Sequence, residues 1–238
     1  MKIAQSRITA LAGLAGILLT ATSAQAAVVL STDFENDVFG GTAASTISSM
    51  TGVVWTENGI TAPTSLAASA VIKGDQSGAD AVGGYFSANV NVNGSTSGSP
   101  AWTTNWTITV GSNDVTLTDI VLRSAETNSG GLIGGGTGDS DINLNIVDNF
   151  TTTSVFNNTQ VRSDNTGASQ ALTYTAPISL VAGRTYQIQF SLWETGSTSN
   201  GHFEAFDSLT FNGTVIPEPS AAFLGIVGLG LLVARRRR

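Results

Sequence analysis

The chain has 238 residues, room for one β domain of ordinary size plus targeting segments, and only 11% of them are charged. With no cysteine, a disulfide, a Cys-based metal site and a thiol nucleophile are all excluded, and redox chemistry leaves the compartment open. The formal charge of −7 hides a segregation: residues 27–216 hold four basic residues (Lys73, Arg123, Arg162, Arg184) against sixteen acids, a balance of −12 that repels nucleic acid and anionic lipid.

Residues 1–26 have the layout of a secretory signal peptide. Lys2 and Arg7 supply the positive start, and Ile8 to Thr20 is an uncharged apolar run. Ala24-Gln25-Ala26 provides the small-x-small site for signal peptidase, with cleavage expected after Ala26. The apolar run is short for a permanent anchor. The competing reading is an uncleaved first helix.

From Val28 onward the apolar period is two rather than 3.6. Phe86, Ala88, Val90 and Val92 alternate with Ser87, Asn89, Asn91 and Asn93. Trp102, Thr104, Trp106, Ile108 and Val110 alternate with Thr103, Asn105, Thr107 and Thr109. Ile142, Leu144 and Ile146, and then Tyr186, Ile188, Phe190 and Leu192, repeat the pattern. Each run predicts a strand with one face to a core and one to water. Val115-Leu117 followed by Ile120-Leu122 slips by one residue, which predicts a bulge or a crossing between sheets. Further strands are expected near 28–34, 51–56, 68–73, 170–176 and 203–211.

Turn signals punctuate these runs at Gly111-Ser112-Asn113-Asp114, Ala182-Gly183-Arg184 and Asn212-Gly213, among others. The 27 glycines and the many Ser, Thr and Asn suit short strands and polar turns. The predicted fold class is all-β: an antiparallel, jelly-roll-like β-sandwich over 27–214, flanked by an N-terminal signal helix and a short C-terminal transmembrane helix.

The tail, 215–238, has three parts. Pro217 and Pro219 lack an N–H and end strand pairing, with Glu218 between them. Ser220 can cap a helix over 221–234, an uncharged run of about 21 Å at about 1.5 Å per residue, against a hydrocarbon core near 30 Å. Arg235, Arg236, Arg237 and Arg238 close the chain; their stems can snorkel, and their charge places the β domain on the outer side. By length alone the run would be a core helix, and an ordinary tail anchor is the other alternative.

This tripartite end resembles a PEP-CTERM sorting signal of exported proteins of Gram-negative bacteria. The resemblance implies recognition of Pro217, Glu218 and Pro219 by an exosortase-type membrane enzyme, with Arg235 to Arg238 as the retention signal. It further implies tethering at the inner membrane before processing, then delivery to the cell surface or extracellular matrix.

Chemistry is harder to place in the body. His202 is the single histidine, and no Gly-x-Ser-x-Gly or other catalytic spacing points to it. No two of the sixteen acids stand out as a glycosidase pair, so a secreted hydrolase is a third reading with no residues to its name. Zinc is disfavoured by ligand supply. Asp139-Ser140-Asp141-Ile142-Asn143 lacks the Gly and Glu of an EF-hand and reads as a loop entering a strand. Thr32-Asp33-Phe34-Glu35 and Phe206-Asp207-Ser208-Leu209 resemble the terminal segments of carbohydrate-binding β-sandwiches of the galactose-binding type. That resemblance implies a structural calcium held by Asp33, Glu35 and Asp207 between adjacent first and last strands. Trp102 and Trp106 share the apolar phase and are expected in the core. Trp193 falls in the outward phase and is the tryptophan expected to be exposed for glycan contact. The functional expectation is an exported surface or matrix protein, not an enzyme, with a structural or adhesive role. The alternative is a carbohydrate-binding module that tethers extracellular polysaccharide.

Overall fold

A computed structural model of the chain describes residues 26–34, 45–50, 53–73, 85–87, 95–127, 140–149, 151–161, 170–194 and 203–217. These residues form thirteen strands and no helix: β1 (Ala27–Thr32), β2 (Ser45–Ser49), β3 (Thr56–Glu57), β4 (Ile60–Thr61), β5 (Ser65–Lys73), β6 (Tyr85–Ser87), β7 (Trp102–Val110), β8 (Asp114–Thr127), β9 (Ser140–Val147), β10 (Thr152–Val161), β11 (Gln170–Leu180), β12 (Thr185–Glu194) and β13 (Phe203–Ile216). They pair into two antiparallel sheets. The larger has eight strands, ordered β11-β8-β13-β6-β5-β2, with β1 added to β13 and β3 to β1. The smaller has five, ordered β10-β9-β12-β7-β4.

The alternation in the sequence becomes the core. In β7 the burial pattern is strictly alternate from Trp102 to Val110, and β9 and most of β12 repeat it. The inward residues of these strands meet Val115, Leu117, Ile120 and Leu122 of β8 and Leu209 and Phe211 of β13 in one buried cluster. Removing such side chains from water contributes about 1.5–3 kcal/mol each, enough over this many positions to offset the ordering of a chain with few charged contacts. Five aromatic rings knit the two sheets together. Trp106 lies 4.7 Å from Phe190, 6.4 Å from Phe34 and 6.3 Å from Trp55, and Phe190 lies 5.8 Å from Phe206, ring centroid to ring centroid.

β13 is the spine of the larger sheet. Over its whole length one side pairs with β8; the other side pairs first with β6 and then with β1. The predicted slip between Leu117 and Ile120 is a bulge: Asn212 faces Asp119 and Gly213 faces Leu117, leaving Thr118 as the extra residue. Three polar side chains pin it. The Thr118 hydroxyl donates to the Asn212 carbonyl at 3.2 Å, and Asn212 Nδ2 donates to Asp119 Oδ1 at 2.6 Å. The strands approach so closely here that a Cβ on Gly213 would be driven into the Thr116 carbonyl oxygen and lie 3.0 Å from Leu117 Cα. Asn212-Gly213, expected as a turn, is therefore the interior of a strand. Gly at this position answers a close backbone approach. The strand continues to Ile216, two residues beyond the boundary expected at 214.

Gly111 to Asn113 and Val181 to Arg184, read as turns, each carry the chain from one sheet to the other. Asn58-Gly59, between β3 and β4, does the same. The three crossings stack at one end of the sandwich, where Gly111 N–H donates to the Gly59 carbonyl (2.9 Å) and Gly183 N–H to the Gly111 carbonyl (2.8 Å). β2 and β10 were not foreseen, because Ser45–Ser49 and Thr152–Val161 lack clean alternation.

Candidate functional site

The two ends of the described domain lie together. Ala26 is exposed and immediately precedes β1; Pro217 is exposed and immediately follows β13. Ala27 faces Gly213 across the β1–β13 ladder, so both emerge at the end of the sandwich that carries the crossings. Ala24, Glu218, Pro219, the apolar run 221–234 and Arg235 to Arg238 lie outside the described residues, as does His202. Among the described residues no helix is long and apolar enough to cross a membrane.

The expected adjacency of first and last strands is present, since β1 pairs antiparallel with β13 from Ala27–Gly213 to Thr32–Leu209. Two acids of the calcium set, Asp33 and Asp207, are among the described residues. Asp207 is the extra residue of a second bulge, between Phe206 and Ser208, and its Oδ2 sits 3.7 Å from Arg123 Nε. Asp33 is exposed and lines a shallow depression of about 190 Å³ with Ser31, Ser208, Thr210 and Thr56. Glu35 lies outside the described residues, and among those described no three His, Asp or Glu side chains gather as a metal site. A surface ion pair of this length is worth at most about 1 kcal/mol. Asp207→Asn is accordingly expected to cost less than about 1 kcal/mol in a denaturant titration. A larger loss that disappears in excess chelator would assign Asp207 to an ion instead.

Three of the tryptophans, Trp102, Trp106 and Trp193, are buried, and Trp55 is partly so. Trp102 and Trp106 are core residues, as the alternation predicts, and Trp55 packs edge-on against Trp106 and Phe34. Trp193 corrects the expectation made for it: only 3% of it is exposed. Its phase is outward, but it lies at the end of β12 to which residues 95–101 are hydrogen-bonded. Glu194 N–H donates to Ser95 Oγ at 3.0 Å, and Ala101 N–H to the Leu192 carbonyl at 2.9 Å. Outward phase secures exposure only where no other segment lies across the strand.

The concavity that sequence reading missed lies on the smaller sheet. A polar cleft of about 560 Å³ opens between Thr107 of β7, Gln187 of β12, Val147 at the end of β9 and the Asp148-Asn149 turn, with Arg184 at its rim. Asp148 organises it. Its Oδ1 accepts from both the N–H (2.6 Å) and the hydroxyl (3.0 Å) of Thr151, and its Oδ2 lies 3.4 Å from Arg184 Nη1. The Asp148 side chain is only 10% exposed, whereas that of Arg184 is 47% exposed. The carboxylate is thus fixed and the guanidinium half-solvated, leaving a cleft that is polar and close to neutral. No local motif announces it, because its residues come from three separate stretches of chain.

No protein-family model and no curated protein matches the chain. Among solved structures, it is similar to the mosquito-larvicidal Cry4Aa toxin from Bacillus thuringiensis, at 14% identity and a TM-score of 0.35. The match covers 56% of this chain and 19% of the toxin chain, so the chain spans about a fifth of that protein's length.

Proposed function

We propose that this chain is an exported surface or matrix protein: a non-catalytic, jelly-roll-like β-sandwich with a structural or adhesive role, delivered by a signal peptide and sorted through its Pro-Glu-Pro tail. The observation that supports the tail reading is the seam. Pro217 follows the last paired residue of β13 with no linker and is exposed. A processing enzyme meeting Pro217 would find backbone outside the sheet ladder, next to the last strand. The apolar run 221–234 and the four arginines then serve as a temporary hold in the membrane. Deleting residues 217–238 is expected to move the protein from the envelope fraction to the medium, read by fractionation and immunoblot. An unchanged distribution would reject the sorting role.

A second reading, a carbohydrate-binding module, is favoured by the neutral polar cleft beside Asp148 and Arg184. Small-ligand sites combine a concavity with a few fixed polar groups, and the doubly bonded Asp148 is such a group.

A further inference from the structure

Across its two central rows the outward face of the smaller sheet carries no charge among the described residues. Register aligns its outward residues into rows running across β7, β12 and β9. Gln189 faces Asn105 on one side and Asn145 on the other; Ser191 faces Thr103 and Asn143. The next row, through Gln187, runs directly into the cleft. On the larger sheet, by contrast, outward positions carry Asp119, Arg123 and Asp207. A face kept only for solubility is normally charged with both signs interspersed. Here the two central rows are amide and hydroxyl, with Val147 in the row through Gln187 and Asp141 opposite Trp193 at the other end.

These groups are held in place. Gln189 Nε2 donates to Gln187 Oε1 at 3.2 Å along the strand, and Ser154 Oγ donates to Asn145 Oδ1 at 2.9 Å from the neighbouring strand. A primary amide has two donors and two acceptor lone pairs, so one such bond orients the group and leaves most of its capacity. With strands about 4.8 Å apart, each row of three spans about 10 Å.

We propose that this face, with the cleft at its end, binds a neutral polysaccharide chain lying across β7, β12 and β9, held by hydrogen bonds to Asn105, Gln189, Asn145 and the Asp148–Arg184 pair. The proposal rests on the carbohydrate-binding reading and gives it a site and a ligand class. Charge selects the class. A body at −12 repels acidic polymers, and the face offers no unpaired cation in compensation: Arg184 is already beside Asp148. Neutral sugars present hydroxyls, each both donor and acceptor, which match amides without any desolvated charge. Stacking has no part in it, because no aromatic side chain lies in these rows. Preorganised strands lower the ordering cost that weak polar contacts must overcome.

Affinity electrophoresis of the purified full chain through gels containing a neutral β-glucan, mannan or dextran, or acidic alginate, tests this. Retardation by at least one neutral polymer is expected. Gln189→Glu and Asn145→Asp, which place a charge in the rows at little change of shape, are each expected to weaken it about tenfold, the worth of roughly one hydrogen bond. Thr210→Asp on the larger sheet should leave it unchanged, and circular dichroism confirms that all three variants fold. Retardation by a neutral polymer that survives both row variants overturns this site while leaving a carbohydrate-binding module elsewhere on the molecule. Retardation by alginate alone overturns the ligand class. Retardation by none of the four overturns the site and the carbohydrate reading together.

Discussion

Gly213→Ala lowers the unfolding free energy by about 3 kcal/mol and the melting temperature by about 6–12 °C. The methyl group has nowhere to go. It meets the Thr116 carbonyl and Leu117 Cα, both backbone atoms of β8, at the point where the Thr118 bulge draws the two central strands together. Relief would require β8 and β13 to separate, which would break the Thr118–Asn212–Asp119 hydrogen bonds as well. Gly183→Ala is the useful comparison. Its backbone φ of +71° disfavours a side chain, yet nothing lies within 4 Å of the added Cβ. That variant is expected to cost only about 1 kcal/mol. Equilibrium denaturation of both variants separates strain in a loop from a collision inside a sheet. Equal losses would show that the bulge relaxes.

Trp106→Ala is the second large effect, a loss of about 3–5 kcal/mol. Trp106 is 1% exposed and touches rings from both sheets, Phe190 on β12 and Phe34 beyond β1. Truncation opens a cavity that rigid neighbours on two different sheets cannot close by a single shift. The near-UV circular dichroism of the aromatic cluster should collapse with it. Phe34 makes the site less forgiving still: it holds a left-handed backbone (φ 57°) with its N–H bonded to Thr32 Oγ1 at 2.9 Å. A loss below about 2 kcal/mol would mean that the two sheets are held together elsewhere.

Local pattern carried the parts of this fold that depend on period alone. β7, β9 and β12 are legible because inward and outward residues alternate without a break, and the slip at 117–120 is legible because the alternation changes phase. Sheet membership is not legible. Gly-Ser-Asn before β8 is the same turn chemistry whether the chain folds back beside β7 or crosses the core, and only the packing of the far strands decides. Asn212-Gly213 misleads for a related reason. Glycine there reports a close approach by β8, nearly a hundred residues away, not a reversal of the chain. Trp193 has the right phase to be exposed, but phase knows nothing of residues 95–101. The cleft and the amide rows are invisible by the same logic: Asn105, Asn145 and Gln189 become neighbours only through register. The tail is the opposite case: its pattern over residues 217 to 238 is contiguous and needs no register to be seen.

The position of β13 also has a consequence in time. A chain made from its amino end presents β1, β6 and β8 long before their common partner exists, and residues 203–216 are the last of the domain to appear. Until they arrive the larger sheet has a gap at its centre, and three strands wait with unsatisfied backbone groups. Completion is therefore a single late event of high sequence separation, slow in kind. It coincides with the emergence of Ile216, so the domain becomes whole only as the chain reaches Pro217.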